Sequence, residues 1–289
     1  MGVLGLKESF SMHSAFVGIA GLPRSGSTLL CQLLAEHPSI HCEGHSSPLC
    51  NSLLMTRRTI SDDQFLLSQL DVQFDATYGH LKSALQGFLQ GWYAGCNKPM
   101  VADKNRAWLH CFEFLLQLDP GAKLLVTVRE LGQVYGSIES QHQKTILLDF
   151  IDHLADFDRF GRADQLFAKD KAIGAPLSSI QSVQDLPKSV KDRIFFVRFE
   201  DLVSKPKETI ARVYEWLGVL PHTIDPTDLT VRPHESDSHF RHKYLHRQHA
   251  TIASPQTHTI PPRVQDLIQK ACGWYYEWFY PELAALKKP

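Results

Sequence analysis

Residues Gly18 to Leu30 read GIAGLPRSGSTLL, and the chemistry these residue types can do is anion binding. Gly21 and Gly26 frame a short loop with Arg24 inside it, and two hydroxyl residues, Ser27 and Thr28, follow directly. The apolar run AFVGIAG ahead of the loop reads as a strand, and Leu29, Leu30, Leu33 and Leu34 recur at helical spacing behind it. A tight turn between strand and helix aims backbone N–H groups and the positive end of a helix at one point, where a phosphate or sulfate is stabilised. Arg24 adds a planar guanidinium fork to that cradle.

The P-loop of nucleotide triphosphatases has the same glycine spacing, GxxxxGK followed by Ser or Thr, and uses its lysine to gather charge on the terminal phosphates. Here Ser27 stands in the lysine position. The loop therefore keeps its amide cradle and loses its main cation, which argues against an ATPase or an ordinary kinase.

The elements that must hold this loop repeat along the chain. KLLVTVRE reads as a second apolar strand, followed by a helix in LGQVYGSIESQ. In RIFFVRFEDLVSKPKETIARVYEWLGV, Ile194 to Phe199 read as a strand, Pro206 opens a helix and Gly218 closes it. PMVADK adds a shorter strand with AWLHCFEFLLQL as the helix behind it. Alternation of this kind predicts an α/β fold: a three-layer sandwich with a central, mostly parallel sheet, like that of the P-loop NTPases, with ligands at the carboxyl ends of the strands. Residues 51–95 and 142–190 read as helical insertions, 222–262 as a long loop, and GWYYEWFYPEL as a packed terminal helix, all within one domain spanning 1–289.

Composition narrows the function classes. Lys and Arg number 30 against 31 acidic residues, for a formal charge of -1, so no global basic field points to nucleic acid or a membrane surface. The six cysteines lack metal-ligand or CxxC spacing and read as reduced thiols. Met1 to Phe10 lack the pattern of a secretion leader, and no long apolar run reads as a membrane span, so the sequence-based expectation is a cytoplasmic protein.

Taken with its neighbours, GLPRSGSTLL resembles the 5'-phosphosulfate loop of sulfotransferases that use 3'-phosphoadenosine-5'-phosphosulfate (PAPS). Three further stretches resemble the family in its own order: VADKNR its lysine-bearing segment, VTVRELGQVYGS its 3'-phosphate site, and VRFEDLVSKPKETIARVYEWLGV its late strand and helix. Pro-Arg-Ser-Gly in the loop is most similar to the branch containing tyrosylprotein sulfotransferases and bacterial small-molecule enzymes. The resemblance implies a sulfuryl transfer from PAPS, without a metal, to a hydroxyl or amine of a small-molecule or peptide acceptor, releasing 3',5'-ADP. A P-loop kinase and a non-catalytic nucleotide-binding protein are the competing readings.

Site roles follow from that resemblance. PAPS carries charge at both ends of its ribose and needs two anion sites. Pro23, Arg24, Ser25, Gly26, Ser27 and Thr28 would form the first, and Arg129 with Ser137 the second. Lys104 is the candidate to stabilise the leaving oxygen; its plain alternative is a solvated strand-end lysine, as that of Arg129 is a surface pair with Glu130. The branch's catalytic glutamate position holds His45, with Glu43 two residues earlier, and either can serve as the base. Gln141 stands where the branch has a second 3'-phosphate arginine, and Phe199 where it has a tyrosine near adenine, still able to stack on the base. Arg241 and Lys243, with His242, would close over the 3'-phosphate. His239, His242, His246 and His249 invite a metal, but Arg241, Lys243 and Arg247 among them repel a dication.

Overall fold

A computed structural model describes residues 15–150, 153–231 and 248–285 of the chain. Its first unit is the expected strand, loop and helix: β1 (Ala15–Gly21) and α1 (Ser27–Ala35). A strand not expected from the sequence, β2 (Ile40–Ser46), follows; its burial alternates because one face, with Ile40 and Cys42, packs on the core while the other carries His41, Glu43 and His45. The polar half of that alternation denies the segment the continuous apolar run by which the other strands are recognised.

The first insertion is a helical hairpin, α2 (Leu49–Ser61) and α3 (Gln64–Trp92), the latter kinked at Gln73. Next come β3 (Met100–Lys104), α4 (Ala107–His110) and α5 (Phe112–Leu118), so the helix expected behind β3 is broken at Cys111. Then β4 (Lys123–Val128) leads into α6 (Leu131–Lys144), and the second insertion supplies α7 (Arg159–Phe167), α8 (Gly174–Ser182) and α9 (Lys188–Lys191). The last strand, β5 (Ile194–Arg198), ends one residue short of the sequence expectation, because Phe199 opens α10 (Phe199–Ser204). Finally α11 (Pro206–Leu217) ends at Gly218 in the left-handed conformation, and α12 (Pro262–Ala271), α13 (Gly273–Phe279) and α14 (Pro281–Ala285) complete the described chain.

The five strands pair only in parallel, in the order β2-β3-β1-β4-β5. A parallel sheet must bury both faces, and the strands are accordingly apolar on both. Val17, Ile19, Leu125 and Val197 face α1 and α11, where Leu30, Leu33, Val213 and Tyr214 meet them. Phe16, Ala20, Leu124 and Val126 face the other way, toward Trp108, Val134, Tyr135 and Ile180. Each such large side chain, fully buried, contributes roughly 1.5 to 3 kcal/mol. The second insertion is bolted to α6 by Arg162, whose Nε and Nη2 donate to Glu139 at 2.8 and 2.6 Å within the interior. Both central strands, β1 and β4, therefore end rigidly at the same edge of the sheet, and the glycine loop springs from the first of them.

Candidate active site

The loop's path is set by two close approaches. A Cβ on Gly21, at φ +134°, would stand 2.2 Å from the Thr127 carbonyl, and one on Gly26, at φ +88°, would stand 2.4 Å from the Phe199 ring. Only glycine lets β1 run so near β4 and lets the turn press against Phe199. Arg24 also takes a positive φ of 59°, so both Arg24 and Gly26 hold left-handed backbone, the conformation from which anion-binding nests are built. No side chain caps the N-terminus of α1 and no acid sits in its first turn. That end is free to favour an anion by about 0.3 to 1 kcal/mol.

Ser25 has a structural task. Its buried hydroxyl lies 2.5 Å from the Leu22 carbonyl and 2.7 Å from Thr127 Oγ1, which ties the loop to the end of β4 and leaves the Ser25 side chain facing the interior. Thr28 faces the other way and accepts from Lys104 Nζ at 3.1 Å. Lys104, the last residue of β3, is 5% exposed, which excludes the solvated strand-end lysine.

The guanidiniums of Arg24 and Arg129 converge. Arg129 Nη1 donates to the Arg24 carbonyl at 2.9 Å, and Arg24 Nε donates to Ser137 Oγ at 3.1 Å. Three sites far apart in sequence thus form one bonded chain. Arg129 is 7% exposed and its guanidinium lies 4.4 Å over the Phe199 ring, so the surface pair with Glu130 does not form; Glu130 instead caps α6 by accepting from the N–H groups of Gly132 and Gln133. Burial lowers the Arg129 pKa, and the charge of Arg24 adds to that effect against the opposing pull of Glu200. An anion between the two guanidiniums would relieve this cost. A cleft of about 360 Å³ opens beside Arg129, lined also by Arg198, Phe199 and Tyr280 and by the carboxylates of Glu130, Glu200 and Glu282; Arg24 is not among its lining residues. Two larger hollows, one under α7, α8 and α12 and one between α3 and α5, are lined mainly by apolar side chains away from this cluster.

The candidate bases sit on the neighbouring edge strand. Ser46 pairs with Lys104 in the sheet, and the register slips between Cys42 and Ser46, where Gly44 has φ +83°. The resulting bulge brings Glu43 between two histidines, with Oε2 at 3.3 Å from His45 Nε2 and Oε1 at 3.7 Å from His41 Nε2. Sequence reading left His45 and Glu43 as alternatives; the geometry couples them.

Several contributors were not foreseen. Asp103, buried beside Lys104, accepts from Tyr93 Oη and Trp108 Nε1, both at 2.6 Å. His258, from the stretch read as a late loop, exchanges backbone bonds with the Gln133 amide and packs on Gly136; burial, then Arg129 and Arg24, hold its pKa below the usual histidine value. Its only sequence signal was its membership of that loop. Arg241, Lys243, His239, His242 and His246 lie outside the described residues, so the expected basic closure falls there too. Among the described residues, the one trio of His, Cys, Asp or Glu whose ligand atoms all lie within 4.8 Å of one another is the exposed Asp149, His153 and Asp156, which includes none of the residues above.

With this geometry in place, comparison with known proteins is informative. A family model described as "Sulfotransferase family" matches residues 17–222. The chain belongs to the sulfotransferase family. It is 26% identical over 212 residues to protein-tyrosine sulfotransferase 2 of Gallus gallus, covering 73% of this chain and 53% of the relative. It is 26% identical over 231 residues to protein-tyrosine sulfotransferase A of Caenorhabditis elegans, covering 79% and 54%. The chain thus spans about half the length of the curated relatives it matches. In fold it is similar to the sulfotransferase domain from the Synechococcus PCC 7002 olefin synthase, with a TM-score of 0.51 and 18% identity over 91% of this chain and 96% of that one. The sulfotransferase match covers the loop, Lys104, Arg129, Ser137 and Phe199, and stops before His258 and the terminal helices.

Proposed function

We propose that this sulfotransferase-family chain moves a sulfuryl group from PAPS to a hydroxyl or amine of a small-molecule or peptide acceptor and releases 3',5'-ADP. The observation that carries the reading is the bonded chain Arg129–Arg24–Ser137, which sets two guanidiniums against an amide-lined turn. One anion site alone suits any phosphate; two sites joined in this way suit a nucleotide charged at both the 5' and 3' ends.

In this reading the N–H groups from Arg24 to Thr28, with the hydroxyls of Ser27 and Thr28, hold the 5'-phosphosulfate, and Pro23 shapes the turn without donating to it. Arg129 and Ser137 hold the ribose-side phosphate, with Phe199 setting the plane of Arg129. Sulfuryl transfer is an in-line displacement, so the protein chiefly positions the partners and neutralises charge on the departing oxygen. Lys104 does the latter, its ammonium held against Thr28 at the start of α1. The acceptor proton passes to His45, whose imidazolium Glu43 stabilises at 3.3 Å, a service worth about 10² to 10⁴-fold for a positioned base.

Calorimetry with 3',5'-ADP, ADP and ATP tests the reading. Tighter binding of 3',5'-ADP without added magnesium is the expected result. Preference for ATP with a magnesium requirement would overturn it.

A further inference from the structure

The C-terminal aromatic segment lies outside the region matched to the sulfotransferase family, yet it holds the turn that carries Arg129. Sheet pairing on β4 ends at Thr127 toward β1 and at Val128 toward β5. Arg129 therefore leaves the ladder with its own N–H and C=O in a buried setting, where unpaired backbone groups are costly. One hydroxyl takes both: Tyr275 Oη accepts from the Arg129 N–H at 3.2 Å and donates to the Arg129 carbonyl at 2.9 Å. A phenol has the donor and lone pairs to do so, and Tyr275, fully buried on α13, has no freedom to turn away.

The next residue is held the same way. The Glu130 N–H donates to Glu200 Oε1 at 3.2 Å, and Tyr280 Oη donates to Glu200 Oε2 at 2.8 Å. Tyr276 Oη donates to Glu130 Oε1, which also accepts from Gln265 at 3.0 Å, while the same carboxylate caps α6, the helix bearing Ser137. Of the three tyrosines in this stretch, Tyr275 thus holds the Arg129 backbone directly, Tyr276 holds the Glu130 side chain, and Tyr280 holds the Glu200 carboxylate that accepts from the Glu130 N–H. Packing alone would be served equally by phenylalanine, a residue the segment already uses at Phe279.

We infer that Tyr275 is a positioning residue for the 3'-phosphate half of the donor site, acting through the backbone of Arg129, with Tyr276 and Tyr280 as its auxiliaries. The inference rests on the proposed reading of Arg129 as a donor ligand. Its test is Tyr275→Phe, which keeps the buried ring and removes the hydroxyl. The measured quantity is the ratio of affinities for 3',5'-ADP and 5'-AMP, which isolates the 3'-phosphate.

The expected result is a fall in that ratio of about tenfold, the worth of one well-aimed charged hydrogen bond, with 5'-AMP affinity unchanged. A merely structural role would weaken both nucleotides alike. A folded Tyr275→Phe protein with the wild-type ratio would overturn the inference. Should that variant fail to fold, 4-fluorophenylalanine incorporated at position 275, which fills the space of the hydroxyl without its donor, carries the test: a reduced ratio supports the inference and an unchanged one overturns it. A wild-type protein that does not prefer 3',5'-ADP over 5'-AMP would instead sink the functional reading itself, so the two failures are told apart.

Discussion

The donor end and the edge strand beside it are built on opposite terms. At the proposed donor end, Arg24 and Ser25 follow β1, Arg129 follows β4 and Ser137 lies on α6, and each bonds to an element other than its own. At the edge, His41, Glu43 and His45 stand on a bulged outer strand; Glu43 is 46% exposed and its mapped ion-pair partners are the two histidines of the same strand. A ligand common to a whole family can be met by a rigid, over-determined cradle. A variable ligand is better met at an edge, where substitutions disturb few neighbours and the sheet tolerates them.

That contrast can be broken at several points. The largest effect is expected at the seam between the two regions: Lys104→Ala should lower the transfer rate by about 10² to 10³-fold, as loss of one preorganised charge-stabilising group does, while 3',5'-ADP binding changes far less. Equal losses in rate and product affinity would place Lys104 wholly in the donor region. On the edge, His45→Ala should cost about 10²-fold in rate and leave 3',5'-ADP affinity intact by calorimetry. A drop in nucleotide affinity would show that the two regions are one.

Within the donor end, Arg129→Lys replaces a fork stacked on Phe199 by a point charge, and 3',5'-ADP should bind about tenfold more weakly with acceptor KM unmoved. Ser25→Ala tests framework rather than ligand: chemical denaturation should show a loss of about 1 kcal/mol, with nucleotide affinity little altered.

The smallest effect is a pH dependence. Because burial and the charges of Arg129 and Arg24 depress the His258 pKa, protonation is easier in the unfolded chain than in the folded one. Stability should therefore decline as pH falls from about 6.5 toward the depressed value, and His258→Gln should flatten that limb in melts compared at about pH 7.5 and about pH 5. An unchanged slope would mean that His258 does not sense the two arginines.

The loop was legible because its information is local: two glycines at fixed spacing with a strand before and a helix after mark a tight turn. The strand–helix alternation was legible for the same reason, since apolar period reports which faces are buried. β2 was hidden because its polar half mimics a loop and its edge position removes the need for a continuous apolar run. The break at Cys111 and the early end of β5 at Phe199 are likewise invisible to periodicity, which sees faces and not ends.

Sequence by itself determined the fold class and the glycine turn between β1 and α1, because each is a short-range pattern. Only the tertiary structure decided that Arg24, Arg129 and Ser137 are hydrogen-bonded to one another, that Ser25 serves the framework, that Glu43 lies between His41 and His45, and that tyrosines from the last described helices hold the strand end. Apart from the Glu43–histidine cluster, which depends on a bulge within one strand, those facts depend on contacts between residues a hundred or more positions apart, and hydrogen-bond geometry at that range is set by how the sheet and its helices pack, which no local pattern records.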